Sequence, residues 1–156
     1  MKGFYLINKP AGMTSYDVIR TLKKKLQIRR IGHTGTLDPN ATGLLLVAIG
    51  EYTKLIPFIE NKSKTYECDI MLDGVSDSYD SDTSITFISQ NKQEQFAAEL
   101  TQEGIDDVLQ NNFLGEISQI PPKYSAVKIN GKKALNKVLD GETFTLKPRQ
   151  VTIHSI

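Results

Sequence analysis

The run Gly32-His33-Thr34-Gly35-Thr36-Leu37-Asp38-Pro39-Asn40-Ala41-Thr42-Gly43 holds a single carboxylate, Asp38, followed by a proline and bracketed by glycines. A carboxylate can attack an electrophilic carbon and leave again, which is what covalent catalysis asks of a nucleophile. Pro39 fixes its own φ and pushes Asp38 toward the extended region. Gly32, Gly35 and Gly43 permit positive φ and close approach of a ligand to the backbone. The apolar run Leu44 to Ile49 follows at once, so Asp38 is expected on a stiff, exposed loop above a buried strand. Asp-Pro and glycine-rich segments also form ordinary turns. Residue type and spacing alone leave both readings open.

The elements that must position this loop can be read from periodicity. Phe4 to Ile7 reads as a short buried strand, and Asn8 to Thr14 has turn chemistry. Ser15 is a good N-cap, and Val18, Ile19, Leu22 and Leu26 recur at helical spacing, which predicts an amphipathic helix over 16–27. Lys23, Lys24 and Lys25 near its end suit the helix dipole, with phosphate contact a second reading. Residues 44–49 form a central strand. Residues 65–72 alternate, which predicts a half-buried strand with Cys68 in the core. Residues 76–83 make an acidic turn without the spacing of a calcium-binding EF-hand. Thr86 to Ile88 end a further strand, and 93–100 and 103–112 read as helices. After Pro121-Pro122 come a strand over 124–129, a turn at Asn130-Gly131, a short helix over 132–140 and a last strand through Val151 and Ile153. Strands separated by a few helices argue for an α+β fold around a mixed sheet.

The 156 residues suffice for one domain with a sizeable core. An apolar run of about six residues is too short for a membrane span, and no signal-peptide pattern opens the chain. One cysteine and two histidines, His33 and His154, argue against an internal disulfide or a typical metal cluster. A cytoplasmic protein without metal or cofactor is the expectation. The net charge of +1 hides an asymmetry: residues 1–66 and 121–156 are basic, and 67–120 are acidic. A polyanion would be drawn to the basic ends.

Several ordered motifs carry a resemblance. The loop from Gly32 to Gly43 closely resembles the catalytic loop of TruB-type tRNA pseudouridine synthases. The segment Leu6 to Ser15, with Lys9-Pro10 and Gly12, is similar to that family's first motif. So are Lys64-Thr65-Tyr66 to its K-x-Y segment, Leu72 to Asp80 to its L-G-x-x-T-D-T-x-D, Pro121 to Lys132 to its P-P-x-Y-S-A-x-K-x-x-G-K, and Arg149-x-Val151-x-Ile153 to the strand that follows. Asp73 stands where the family has glycine, and Leu135 and Val138-Leu139 replace a tyrosine and an Ala-Arg pair.

The resemblance implies a largely antiparallel, pseudouridine synthase-like sheet flanked by helices, and isomerisation of uridine 55 in the T loop of tRNA without cofactor or metal. It makes Asp38 the nucleophile and places Tyr66 against the target base, where aromatic stacking is worth about 1–3 kcal/mol. It assigns His33 to RNA positioning and makes Lys9, Lys64, Lys128 and the Arg29-Arg30 pair candidate phosphate contacts. Tyr124 helps to shape the site. The family's next segment, G-T-Y-I-R, and its C-terminal RNA-binding domain have no counterpart before Ile156. Residues 1–156 are therefore expected to be the N-terminal portion of the catalytic domain. A complementing chain, or self-association through an exposed C-terminal strand, is expected. The alternative is an impaired or inactive remnant that binds the tRNA T-arm or only folds.

Overall fold

The computed structural model describes residues 1–125 and 127–156. They divide into two compact units, Met1–Glu67 and Cys68–Ile156.

The first unit is a three-stranded antiparallel sheet with one helix across it. Strands β1 (Gly3–Lys9), β2 (Ile31–His33) and β3 (Gly43–Ile49) lie in the order β1-β3-β2. The register pairs Gly3 with Ile49, Lys9 with Gly43 and His33 with Val47. Tyr5, Ile7, Ile31, Leu45, Val47 and Ile49 thus share one face. Helix α1 (Ser15–Leu26) covers it with Val18 and Ile19, closing the core, and Leu22 and Leu26 pack at its margin. β3, flanked on both sides, is the central strand that its apolar run predicts. β1 is less enclosed than expected: Phe4 and Leu6 face outward and are exposed. A 3₁₀ turn over Gly50–Leu55 and the short helix α2 (Ile56–Ile59) follow β3. Tyr52 meets Phe4 edge-on with ring centroids 5.4 Å apart.

The start of α1 differs by one residue from the sequence reading. Thr14, not Ser15, is the N-cap. Its hydroxyl accepts from the Asp17 amide, and Asp17 reaches back to the Thr14 amide in a reciprocal capping box. Gln27 closes the helix in the left-handed region. Ser15 is released for another task, described below.

The second unit consists of short ladders and helices. β4 (Gly74–Val75) pairs with β5 (Thr86–Phe87), β6 (Gly115–Gln119) with β9 (Arg149–Ile153), and β7 (Lys128–Ile129) with β8 (Lys132–Lys133), all antiparallel. Helices α3 (Gln90–Glu99), α4 (Gln102–Phe113) and α5 (Ala134–Leu139) lie between them. Asn130 and Gly131 both take positive φ, as a tight hairpin turn between twisted strands requires. The strand expected over 124–129 is shorter, and Ala126 lies outside the described residues. The acidic turn is held by hydroxyls: Ser76 Oγ donates to the Asp80 carbonyl, and Ser78 Oγ pairs with Thr83 Oγ1.

The expected strand over 65–72 does not form, and Cys68 is exposed rather than buried. Alternation supplies two faces, but a strand also needs a neighbouring backbone. No partner is paired with this segment among the described residues. The chain is α+β, as expected; among the described residues every strand pair is antiparallel, where a mixed, largely antiparallel sheet was expected.

Candidate active site

Asp38 lies between two residues that are each tied down. On its N-terminal side, Ser15 Oγ accepts from the Leu37 amide at 2.9 Å and lies 3.2 Å from the Leu37 carbonyl, to which it can donate. On its C-terminal side, the Pro39 carbonyl accepts from the Gly12 amide at 2.9 Å and from Lys9 Nζ at 3.0 Å. The Asp38 carbonyl itself accepts from the Ala41 amide at 3.1 Å, closing a tight turn. The Asp38 side chain is exposed, and no ion pair or hydrogen bond engages it among the described residues. The local backbone is therefore over-determined while the carboxylate stays free, which is the presentation a nucleophile needs.

Lys9 has a place that sequence reasoning did not foresee. It ends β1 on the core face and is fully buried. Its ammonium donates to the carbonyls of Pro10 at 3.0 Å, Met13 at 2.6 Å and Pro39 at 3.0 Å. An ammonium has three N–H donors, and all three are used. Nothing is left for a phosphate. The expectation of a phosphate contact is corrected: Lys9 is a bolt between the β1–α1 turn and the Asp38 loop. Full hydrogen bonding is also what makes a buried charge tolerable.

The other sequence-selected residues are placed differently. His33 ends β2 and leads directly into the loop; its Nδ1 is buried without a hydrogen-bond partner. Thr34 fixes the next step by donating its amide to the Leu46 carbonyl. Lys64 passes beside the loop, its Cε 3.9 Å from where a side chain on Gly35 would begin, and its ammonium donates to the carbonyls of Glu60 and Lys62. Tyr66 is 70% exposed, outside any strand, with its ring unpacked. Tyr124 is half-buried in the second unit, and Lys128 stands exposed on β7.

Of the three loop glycines, Gly43 takes positive φ (+113°). Gly32 sits close to a neighbour: a Cβ there would come within 2.9 Å of Ile56 Cδ1, the tip of a side chain that would have to move aside.

Residues 23–156 match TruB family pseudouridylate synthase (N terminal domain). The chain belongs to the TruB family. Among its relatives, the tRNA pseudouridine synthase B of Fusobacterium nucleatum subsp. nucleatum is 42% identical across all of this chain and 52% of its own length. That of Prochlorococcus marinus is 45% identical over 99% of this chain and 47% of its own. The chain spans about half the length of the curated relatives it matches. A chain in the crystal structure of a Cbf5-Nop10-Gar1 complex shares the fold, with a TM-score of 0.53 and 27% identity over 81% of this chain and 31% of that one.

Within the TruB frame, two loop-holding residues escaped assignment as site residues. Ser15 looked like a helix cap, and Gly12 like plain turn chemistry. The available signal was their place in the Lys9–Ser15 motif, which pairs with the Asp38 loop across the sheet end. Asp73, standing where TruB motifs have glycine, does not take positive φ and accepts from the Ile88 amide. The departure is accommodated without backbone strain.

Proposed function

We propose that this chain carries the reacting half of a tRNA pseudouridine synthase that isomerises uridine 55 in the T loop. The observation that carries this reading is the free Asp38 carboxylate between two pinned neighbours, Leu37 and Pro39. In the reaction the N1–C1′ glycosidic bond breaks, the uracil turns, and a C5–C1′ bond forms while C5 loses its proton and N1 gains one. Asp38 serves either as nucleophile at ribose C1′ or as an adding group at uracil C6. A uridine must leave its stack to reach the loop. Tyr66, with its ring free, is the platform for the extruded base, and His33 and Lys64 flank the loop to position RNA. Tyr124 and Lys128, which lie in the second unit, are further RNA-binding candidates carried by the family resemblance alone. No cofactor is required by this chemistry.

The test is T-loop hairpin RNA incubated with this chain and read by carbodiimide-dependent primer extension, which marks pseudouridine. The expected result is a stop at the target position with wild type and none with Asp38→Ala, while both proteins bind the RNA equally. No product where a full-length TruB relative works would leave the chain as a tRNA-binding remnant. No RNA binding at low salt would remove that role too.

A further inference from the structure

Between Pro121 and Ile156 the chain carries seven lysines and arginines but two acids, Asp140 and Glu142. Both acids are committed to the same place. Lys132 Nζ pairs with Asp140 Oδ2 and, at 2.5 Å, with Glu142 Oε1. Lys137 Nζ meets Glu142 Oε2 at 2.5 Å. Glu142 thus divides its two oxygens between two ammonium groups.

The place of Glu142 is set by the backbone. Helix α5 ends in a Schellman closure: Gly141 takes φ +71°, its amide donates to the Val138 carbonyl at 3.0 Å, and the Glu142 amide donates to the Lys137 carbonyl at 2.9 Å. The turn that stops the helix therefore brings the carboxylate back toward Lys137. Exposed ion pairs add little to stability, and a helix end already closed by backbone bonds does not depend on them. What these carboxylates change is the charge that an approaching polyanion meets.

The adjoining hairpin shows the contrast. Lys128 on β7 stands directly opposite Lys133 on β8, and both are exposed. Like charges in a cross-strand pair repel, and no ion pair among the described residues includes either lysine. Two lysines of this region are open to an anion, and two are occupied.

We propose that Asp140 and Glu142 are resident counter-anions, which hold Lys132 and Lys137 in the place of an RNA phosphate and so limit how tightly β8 and α5 take up RNA. This rests on the tRNA reading above and adds an opposing element to it. A phosphate arriving at either lysine must first displace a carboxylate, one charge-assisted contact exchanged for another. Lys128 and Lys133 carry no such competitor.

The experiment measures binding of a fluorescent T-loop hairpin RNA across a potassium chloride series, with thermal melts to check folding. The variants are Asp140→Asn/Glu142→Gln and, as a control of equal net charge, Glu103→Gln/Asp107→Asn on α4. The first is expected to tighten binding about fivefold at low salt and to steepen the salt slope by about 2, one for each lysine freed. The control stays within about twofold of wild type, because exposed charges beyond a screening length contribute little. In the unsubstituted chain, the Glu142 side-chain carboxyl carbon resonance should move when RNA is added, as its lysines exchange partners. Unchanged or weaker binding by the folded first variant overturns the proposal and leaves the Asp38 reading standing. An equal gain in the control also overturns it, since net charge alone would then account for the effect. A Glu142 resonance unmoved at saturating RNA overturns it even if the variants fail to fold. Failure of the wild type to bind the RNA at low salt overturns both readings.

Discussion

At the scale of single residues, the unusual feature is a charged side chain used as internal scaffolding. Lys9 gives all three N–H donors to carbonyls, one of them on the residue after Asp38. Lys9→Met keeps much of the volume but strands those carbonyls, and each buried group left unsatisfied costs about 1–3 kcal/mol. The expected outcome in chemical denaturation is an unfolding free energy lowered by an amount on the order of 3 kcal/mol, with product formation falling further than RNA affinity. Ser15→Ala removes two contacts to Leu37 on the opposite flank. It should cost about 1–3 kcal/mol and lower kcat more than it raises KM, because the carboxylate loses its bearing rather than its charge. Equal loss of stability with an unchanged kcat for folded Ser15→Ala would show that Asp38 does not depend on this clamp.

At the scale of elements, the boundaries are set by particular local bonds. The Thr14–Asp17 capping box starts α1 one residue before the Ser15 clamp, so helix start and loop anchor are consecutive residues with separate duties. The Thr14 hydrogen bond lowers the Asp17 pKa, helped by Arg20. Thr14→Ala should destabilise the first unit by about 1 kcal/mol, measurable by urea unfolding, and should leave the Leu37 clamp in place. In the second unit, Glu142 receives the ammonium groups of Lys132 and Lys137, joining β8 and α5 to the segment that follows. Those hydrogen bonds pull the Glu142 pKa from 4.5 to about 2. A depressed carboxylate pKa contributes order above the unfolded value and loses it as pH falls through the folded one. Local order at α5 should therefore persist through pH 4.5 and be lost toward pH 2. Carboxylate NMR shifts would check this, and Glu142→Gln should lack the transition.

At the scale of the molecule, the core is unevenly shared. The buried apolar cluster Val18, Ile19, Ile31, Leu45, Val47 and Ile49 lies wholly in the first unit. The second unit's buried apolar residues among those described are Pro121, Ala134 and Leu146, and its ladders are two-stranded. Two-stranded ladders are marginal without a packed face. Amide hydrogen exchange should follow this division, slow in β3 and α1, faster by orders of magnitude in β4, β5, α3 and α4. The exposed Cys68 should react fully with a thiol reagent in the native state, and slow reaction would mean the segment around it is covered.

The local rules were legible wherever chemistry acts over a few residues. The helix at α1, the central strand and the Asn130-Gly131 turn follow from spacing, because capping, periodicity and turn residues are short-range; the Asp38 loop was legible through its resemblance to a family motif. Residues 65–72 were misread because alternation cannot reveal whether a neighbouring backbone exists to pair with. Lys9 was misread because a surface lysine and a buried one are the same letter. By itself, the sequence determined that Asp38 would be stiffly presented on a glycine-lined loop within a TruB-like chain. Only the tertiary structure decided what holds that loop. The bonds from Lys9, Gly12 and Ser15 to Leu37 and Pro39 cross between segments more than twenty residues apart, and such pairings exist only once β1 and β3 have met.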